Sequence, residues 1–186
     1  MKDLPKRSPE LAEIDPERRR LATHGREHYQ LGFAQPTEGV RPGIVRCFVN
    51  RPNALPKVGS TVVARHQVYS FNGFTLSRCA DVRFENVTLY ACPGMGLYAG
   101  ECRDVSLNRF NVVIRPGSGR WMSATADATH FNNCRGTITL EECAFEGMGD
   151  DAANLHSMYL VVAERVDGRT LRLAQGRQPA GIPAVP

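Results

Sequence analysis

Three aspartates stand where they could act together as an acid and a base. Asp127 opens the stretch Asp-Ala-Thr-His-Phe-Asn-Asn-Cys, and Asp151 opens the similar stretch Asp-Ala-Ala-Asn-Leu-His-Ser-Met. The two residues are 24 positions apart, and Asp150 directly precedes the second stretch. If the stretches stack in register, three carboxylates fall within one small patch. Because like charges at that spacing repel, one carboxyl is expected to keep its proton beside an ionised neighbour.

A proton donor beside an ionised carboxylate is the pair that glycoside hydrolysis uses. For each aspartate alone, the alternative is a turn residue whose carboxylate bonds the local backbone. We favour a functional interpretation because the three acids coincide only when the repeats are overlaid. A further use of clustered aspartates would be to bind Ca²⁺, a hard cation that prefers oxygen ligands.

Polar side chains flank the acids in the same overlay. If Phe131 and Leu155 point inward, alternation along the strands turns the polar residues between them outward, as a block suited to sugar hydroxyls. These residues are His130, Asn132, Asn154 and His156. An exposed polar ladder without a ligand is the alternative.

Strict alternation of side chains along the strands would place the three acids on different faces. It places Asp127 and Asp151 inward with the apolar residues and leaves Asp150 outward. Either a bulge or turn breaks the alternation, or only Asp150 faces a substrate.

A loop ahead of the acids carries the single tryptophan. Trp121, beside Arg120, is either a core residue or an aromatic platform for a sugar ring. Gly147 and Gly149 precede the paired acids and give a backbone that can turn tightly and let a ligand approach.

The elements that must position these residues are suggested by an internal repeat. Three segments align on Cys79, Cys102 and Cys134, and a fourth carries Met158 in the cysteine position, at intervals of 23, 32 and 24 residues. The middle interval is longer because residues 115–121 are inserted. A period near 23 with short alternating strands is typical of one coil of a parallel β-solenoid. We therefore predict an all-β chain forming a right-handed parallel β-helix, with a β-sandwich as the alternative.

Four segments are predicted along the chain. Residues 1–29 form a polar, charged arm, in which three apolar residues in helical register allow one short helix. Residues 30–67 form a strand-rich insertion with strands at 43–49 and 59–65. Residues 68–160 form the coils with the site. Residues 161–186 begin a second β insertion, with a hairpin around Asp167-Gly168, that looks truncated. We expect a piece of a longer protein.

Composition narrows the range of partners. A net charge of +4 over 186 residues is too weak a surplus to indicate nucleic acid or an anionic membrane as a partner. No apolar run is long enough to span a membrane, and the charged N-terminus shows no secretion signal. The six cysteines lack zinc-site spacing and are expected to be buried, reduced thiols.

The motifs carry a family resemblance. Residues 123–131, Cys134-Arg-Gly136 and residues 145–156 resemble glycoside hydrolase family 110, and residues 55–66 and 93–97 also fit it. Members are bacterial, typically secreted, exo-acting α-1,3-galactosidases built on a β-helix with β-barrel-like insertions. More loosely, an Asp followed one coil later by an Asp-Asp pair is similar to the polygalacturonase family.

The resemblance implies roles for individual residues. Asp127, Asp150 and Asp151 match the catalytic acids of an inverting mechanism without metal or cofactor, and which acid has which role stays open. Asn154 and His156 match positions near the galactose. The implied substrate is an α-galactoside oligosaccharide or glycan. A polygalacturonase-type hydrolase and a noncatalytic carbohydrate-binding or structural β-helix piece are the alternatives.

Overall fold

The chain is all-β. The computed structural model describes residues 10–15, 17–18, 20–21, 33–49, 55–56, 58–65 and 67–175. Within these ranges the chain forms fifteen strands and no helix. The predicted all-β class is therefore confirmed, and the described part of the chain offers no helix that could cross a membrane.

Two parallel sheets contain the repeated segments. In the first sheet the neighbouring strands are β13 (Ala153–His156), β10 (Thr129–Asn132), β8 (Leu97–Gly100) and β6 (Phe74–Ser77). In the second, β9 (Arg103–Val112) lies between β7 (Ala80–Leu89) and the strands β11 (Arg135–Glu141) and β12 (Ala144–Phe145). All these pairs are parallel, so the chain passes from one sheet to the other in each repeat.

The corner between the two sheets recurs in the three repeats that carry the cysteine. Arg78, Glu101 and Asn133 each precede the repeated cysteine, and all three have a left-handed backbone, with φ of 55°, 55° and 54°. Non-glycine residues adopt this region only occasionally. Its recurrence at equivalent positions means that the chain makes the same turn each time, which is what keeps the repeats in register.

Apolar side chains from both sheets meet between them. Leu97 and Phe131 from the first sheet and Leu107 and Phe110 from the second are at most 1% exposed. Aromatic rings stack from repeat to repeat, with the Phe84 and Phe110 centroids 5.5 Å apart in an edge-on arrangement. Edge-on aromatic pairs add about 0.5–1.5 kcal/mol beyond the area they bury. This core fixes the strands whose ends carry the acids.

The N-terminal residues differ from the prediction. Where a short helix was considered possible, the structure has β1 (Glu10–Asp15), which pairs antiparallel with β2 (Arg20–Leu21) and β5 (Thr61–Arg65). The helix prediction is wrong for these residues because pairing with β5 satisfies the backbone and buries Leu11 and Ile14. Prolines at positions 9 and 16 also flank the segment, and the residue before a proline disfavours helix.

Two antiparallel hairpins complete the described chain. β3 (Phe33–Arg41) pairs with β4 (Ile44–Val49), so the two strands predicted at 43–49 and 59–65 both form but pair with different partners. β14 (Leu160–Arg165) and β15 (Leu171–Gln175) form the hairpin predicted around Asp167-Gly168.

The cysteines match the expectation only in part. All six are free thiols, but Cys92 and Cys102 alone are buried, and Cys79, Cys134 and Cys143 are half-buried. Cys47, on the β4 hairpin strand, is exposed and departs from the expectation of burial.

Candidate active site

Two bends, one in each of two neighbouring repeats, bring the three aspartates together. Asp127 lies two residues before β10 and Asp151 two residues before β13, and these strands pair with Thr129 opposite Ala153. The two strands are offset by the same 24 residues that align the stretches beginning at Asp127 and Asp151 in the sequence. One carboxylate oxygen from each of Asp127, Asp150 and Asp151 lies within 4.8 Å of the others.

The open question of alternation is resolved by the local backbone. The acids lie in bends rather than in strands, so strand alternation does not govern their side chains. Asp127 is 3% exposed, while Asp151 is exposed. The buried carboxylate nevertheless reaches the outward-facing His130, with 2.5 Å between Asp127 Oδ2 and His130 Nδ1.

Each carboxylate has a different hydrogen-bonding environment. Asp127 Oδ1 accepts the backbone N–H of Asp151 at 3.4 Å, and Asp151 Oδ2 accepts the Asn154 side-chain amide at 3.0 Å. Both donors can only donate, so one oxygen of each carboxyl group acts as an acceptor here. Asp150 Oδ2 instead accepts the Tyr69 hydroxyl at 3.2 Å, and a phenol can also accept from a protonated carboxyl.

The predicted polar block is present beside the acids. His130 pairs with Asn154 in register and Asn132 with His156. The two imidazoles touch across the diagonal, with 2.8 Å between their Nε2 atoms and ring planes at 90°. On the other side of His130, the ring of Tyr98 on β8 lies at 5.6 Å between centroids. The aromatic and amide neighbours therefore hold His130 between the strands.

Sequence reasoning missed Arg65, which links the two bends. Its Nη1 donates to the carbonyl of Thr125 at 2.8 Å and to that of Gly149 at 2.9 Å, two residues before Asp127 and one before Asp150 respectively. Charged donors make stronger hydrogen bonds than neutral ones. No signal in the sequence pointed to it, because the arginine is about 60 residues upstream of its nearer partner.

Gly149 has a different use from the one expected. A Cβ at this position would lie 2.6 Å from both Arg65 Nη1 and the Thr125 carbonyl oxygen. The glycine therefore allows close approach of this arginine rather than of a ligand. Gly147 does turn the chain, with φ of 69°.

Trp121 lies away from the carboxylates. It lines a cavity of about 420 Å³ whose wall includes Arg65, Arg120, Met122 and Thr125 but none of the three acids. The tryptophan is half-buried there. The cavity adjoins the bend of Asp127 through Thr125, so Trp121 is not in the acid cluster.

The grouping of three carboxylates permits two kinds of chemistry. One is proton transfer between a protonated and an ionised acid, and the other is oxygen ligation of a hard cation such as Ca²⁺. The histidines and amides beside them supply hydrogen-bond donors and acceptors for hydroxyl groups.

Comparisons with known proteins point to a single enzyme type. No family model matches the chain. Among curated proteins, it is 34% identical over 161 residues to α-1,3-galactosidase A of Shewanella woodyi, covering 87% of this chain and 26% of that protein. It is 40% identical over 141 residues to α-1,3-galactosidase B of Akkermansia muciniphila, covering 76% of this chain and 17% of that protein.

A third relative agrees. α-1,3-Galactosidase B of Phocaeicola vulgatus is 37% identical over 140 residues, covering 73% of this chain and 23% of that protein. The chain thus spans about a quarter or less of the length of these relatives. The resemblance to α-1,3-galactosidases is confirmed over this segment, and the chain is glycosidase-like in sequence.

Proposed function

We propose that this chain carries the catalytic acids of a glycoside hydrolase that removes terminal α-1,3-linked galactose from oligosaccharides or glycans. The observation that carries the proposal is the cluster of Asp127, Asp150 and Asp151, with oxygens within 4.8 Å of one another. The names of the relatives supply the substrate class.

Asp150 is the best candidate for the general acid. A general acid must hold a proton, and the Tyr69 hydroxyl, which donates to Asp150 Oδ2 at 3.2 Å, can turn to accept from that carboxyl when it is protonated. Asp127 and Asp151 accept bonds from groups that can only donate. In this proposal these two are the ionised carboxylates that orient and deprotonate the attacking water.

The proposed stereochemical outcome is inversion. Two carboxyl groups in inverting enzymes are typically about 6.5–9.5 Å apart, and those in retaining enzymes about 5–5.5 Å. The nearest oxygens here are closer than the first range. Inversion is favoured by the family resemblance and by the third carboxylate, because two acids can then hold water while Asp150 serves the leaving oxygen.

The proposal includes a right-handed parallel β-helix over residues 68–160. Parallel pairing of β6, β8, β10 and β13, and of β7, β9 and β11, supports stacked coils. Residues 1–29 would be an arm, 30–67 an insertion and 161–186 the start of a second insertion.

The polar block is proposed to bind the sugar. His130, Asn154 and His156 face the same side as the acids and offer hydrogen bonds to galactose hydroxyls. Trp121, in the neighbouring cavity, would stack on the sugar beyond the scissile bond.

The decisive experiment is an assay of the full chain on a galactose-α-1,3-galactose disaccharide, with polygalacturonate as the competing substrate. Proton NMR of the first product gives the anomer: β-galactose indicates inversion and α-galactose indicates retention. Galactose release supports the proposal. Sugar binding without product release supports the noncatalytic alternative instead.

The polygalacturonase alternative receives less support from the charges. Such an enzyme needs basic groups near the acids for uronate carboxylates. Arg135 is exposed on β11 and lines a different pocket, with Glu101 and Asn133. Arg120 lines the Trp121 cavity. Neither arginine belongs to the acid cluster.

A further inference from the structure

We propose that His130 and His156 form a proton relay that carries a proton from solvent to the imidazole paired with the buried Asp127, and so sets whether that carboxylate has a neutral imidazole or an imidazolium beside it. The inference deepens the proposed function and rests on it, because the relay matters to catalysis only if Asp127 acts as a base. Both histidines are positioning residues in this sense: they act through Asp127.

The geometry is a continuous chain of hydrogen bonds. Asp127 Oδ2 lies 2.5 Å from His130 Nδ1, His130 Nε2 lies 2.8 Å from His156 Nε2, and His156 Nδ1 lies 3.3 Å from the Ser157 carbonyl oxygen. Exposure rises along it, from 4% for the Asp127 side chain to 13% for that of His130, and His156 is exposed. A carboxylate with little access to water thus has a path of hydrogen bonds to the surface.

The contact between the two Nε2 atoms determines how protons are arranged. One nitrogen must carry the proton and the other must accept it. In the first state His130 Nδ1–H donates to the Asp127 carboxylate, and His156 Nε2–H donates to His130 Nε2. In the second state His130 is an imidazolium: its Nδ1–H still donates to the Asp127 carboxylate, its Nε2–H donates to His156 Nε2, and His156 Nδ1–H donates to the Ser157 carbonyl.

One solvent proton converts the first state into the second. It binds His156 Nδ1, and the Nε2–H bond of His156 breaks as that of His130 forms. His130 keeps its Nδ1 proton, because an imidazole is a stronger base than a carboxylate. The net result is that a proton taken up at the exposed imidazole becomes a positive charge on His130 beside the buried carboxylate, and the reverse path releases it.

Neighbouring side chains position the two imidazole rings. The titratable groups beside the two imidazoles are Tyr98 from β8 and Asp127 at His130, and Cys134 and Tyr159 in the pocket that His156 lines. Asp150 and Asp151 form the acid cluster with Asp127. Tyr98 stacks against His130, and the Asn132 side-chain amide donates to the Tyr98 hydroxyl at 3.4 Å. These contacts hold the His130 ring in the plane that both hydrogen bonds need.

The test uses NMR of the full chain with ¹⁵N-labelled histidine. The five histidines are assigned with His130→Gln and His156→Gln variants. On acidification the wild type should transfer the His156 proton from Nε2 to Nδ1 while His130 gains a proton on Nε2. In His156→Gln the pH response of His130 should be lost or displaced. Ser77→Gln, in the same strand row as His156 and three repeats away from it, is the matched control and should leave it unchanged.

Activity supplies a second measurement. The acid limb of the pH profile of kcat/KM should move in His156→Gln and stay in place in Ser77→Gln, whereas a role in sugar binding alone would raise KM equally at every pH. Histidine signals with fixed tautomers, or a His130 response identical in wild type and His156→Gln, would overturn the relay. If the chain releases no galactose, the proposed function fails, and the NMR result still decides the relay.

Discussion

The side chain of Asp127 accepts the backbone N–H of Asp151 at 3.4 Å, although the two residues are 24 positions apart. The bond ties the buried acid of one repeat to the exposed acid of the next. Any change of register between the two repeats would separate them, so the parallel pairing of β10 with β13 is a condition for the site.

The first prediction concerns the acids. Asp127→Asn and Asp150→Asn should each lower kcat on an α-1,3-galactoside by about 10²–10⁴-fold, the usual contribution of a general acid or base. Asp81→Asn is the control, because Asp81 is exposed, lies on β7 and has φ of 55°, which asparagine tolerates. Hydrolysis that persists in both site variants would remove the assigned roles.

A second prediction concerns cations. If the acids transfer protons, neither a chelator nor added Ca²⁺ should change the thermal unfolding temperature of the chain. Calcium held by Asp127, Asp150 and Asp151 would stabilise the folded state by mass action. An unfolding temperature that rises with Ca²⁺ in the wild type but not in Asp150→Asn would favour the calcium alternative.

Arg65 should matter for both stability and activity. Arg65→Met removes two charge-assisted hydrogen bonds to the carbonyls of Thr125 and Gly149 and should cost about 3 kcal/mol of unfolding free energy. It should also lower activity, because the bends with the acids lose their link. Arg83→Met, at an exposed position on β7, is the control. Equal unfolding midpoints in urea for the two variants would contradict this assignment.

The repeated left-handed corner predicts a stabilising change. Glu101 has φ of 55°, and the equivalent residue in the next repeat is Asn133. Glu101→Asn should raise the unfolding free energy by about 0.5 kcal/mol, because asparagine tolerates this region better. The measurement is made in high salt, which screens the exposed ion pair with Arg78 at 3.1 Å. Glu85→Asn, within the strand β7, should give no gain.

A last prediction follows from the buried thiols. Burial raises the pKa of Cys102 above its ordinary value of 9.0, against the opposing effect of a hydrogen bond with the backbone of Cys79. The unfolded thiol therefore ionises first, and the stability contributed by Cys102 is full below pH 9.0 and declines as pH rises towards the folded pKa. Cys102→Ala should make the alkaline loss of stability shallower, measured as urea midpoints against pH.

The exposed Cys47 provides the control for that experiment. Cys47→Ala should leave the alkaline slope unchanged. Both variants should retain part of the alkaline loss of stability, because burial raises the pKa of Cys92 as well. Identical slopes in wild type and Cys102→Ala would show that the thiol ionises equally in both states.

Much of the arrangement could be predicted from the sequence because it depends on a period. The overlay of the stretches beginning at Asp127 and Asp151 gave the observed pairing of His130 with Asn154 and of Phe131 with Leu155. Parallel stacking repeats side-chain positions at a fixed interval, so a repeat in the sequence carries information about neighbours in space.

What the period could not predict depends on contacts outside the repeat. Tyr69 and Arg65 reach the acids from upstream, and no spacing rule connects them with residues 125–150. The strand at Glu10–Asp15 depends in the same way on the distant β5, and Leu155 is 55% exposed because β13 is at the sheet edge. Local patterns favoured a helix at residues 10–15 and burial of Leu155, which does share a face with Phe131, and tertiary position decided otherwise.

The hydrogen bonds that Arg65 donates to both bends limit where the chain can be shortened without loss of contacts at the acid cluster. A recombinant truncation starting at residue 68 would retain all three aspartates of the cluster and every strand of the two parallel sheets, yet leave the carbonyls of Thr125 and Gly149 without the Arg65 guanidinium. A shortened chain that keeps both hydrogen bonds must therefore include β5, so a strand outside the two parallel sheets helps to hold the acid cluster.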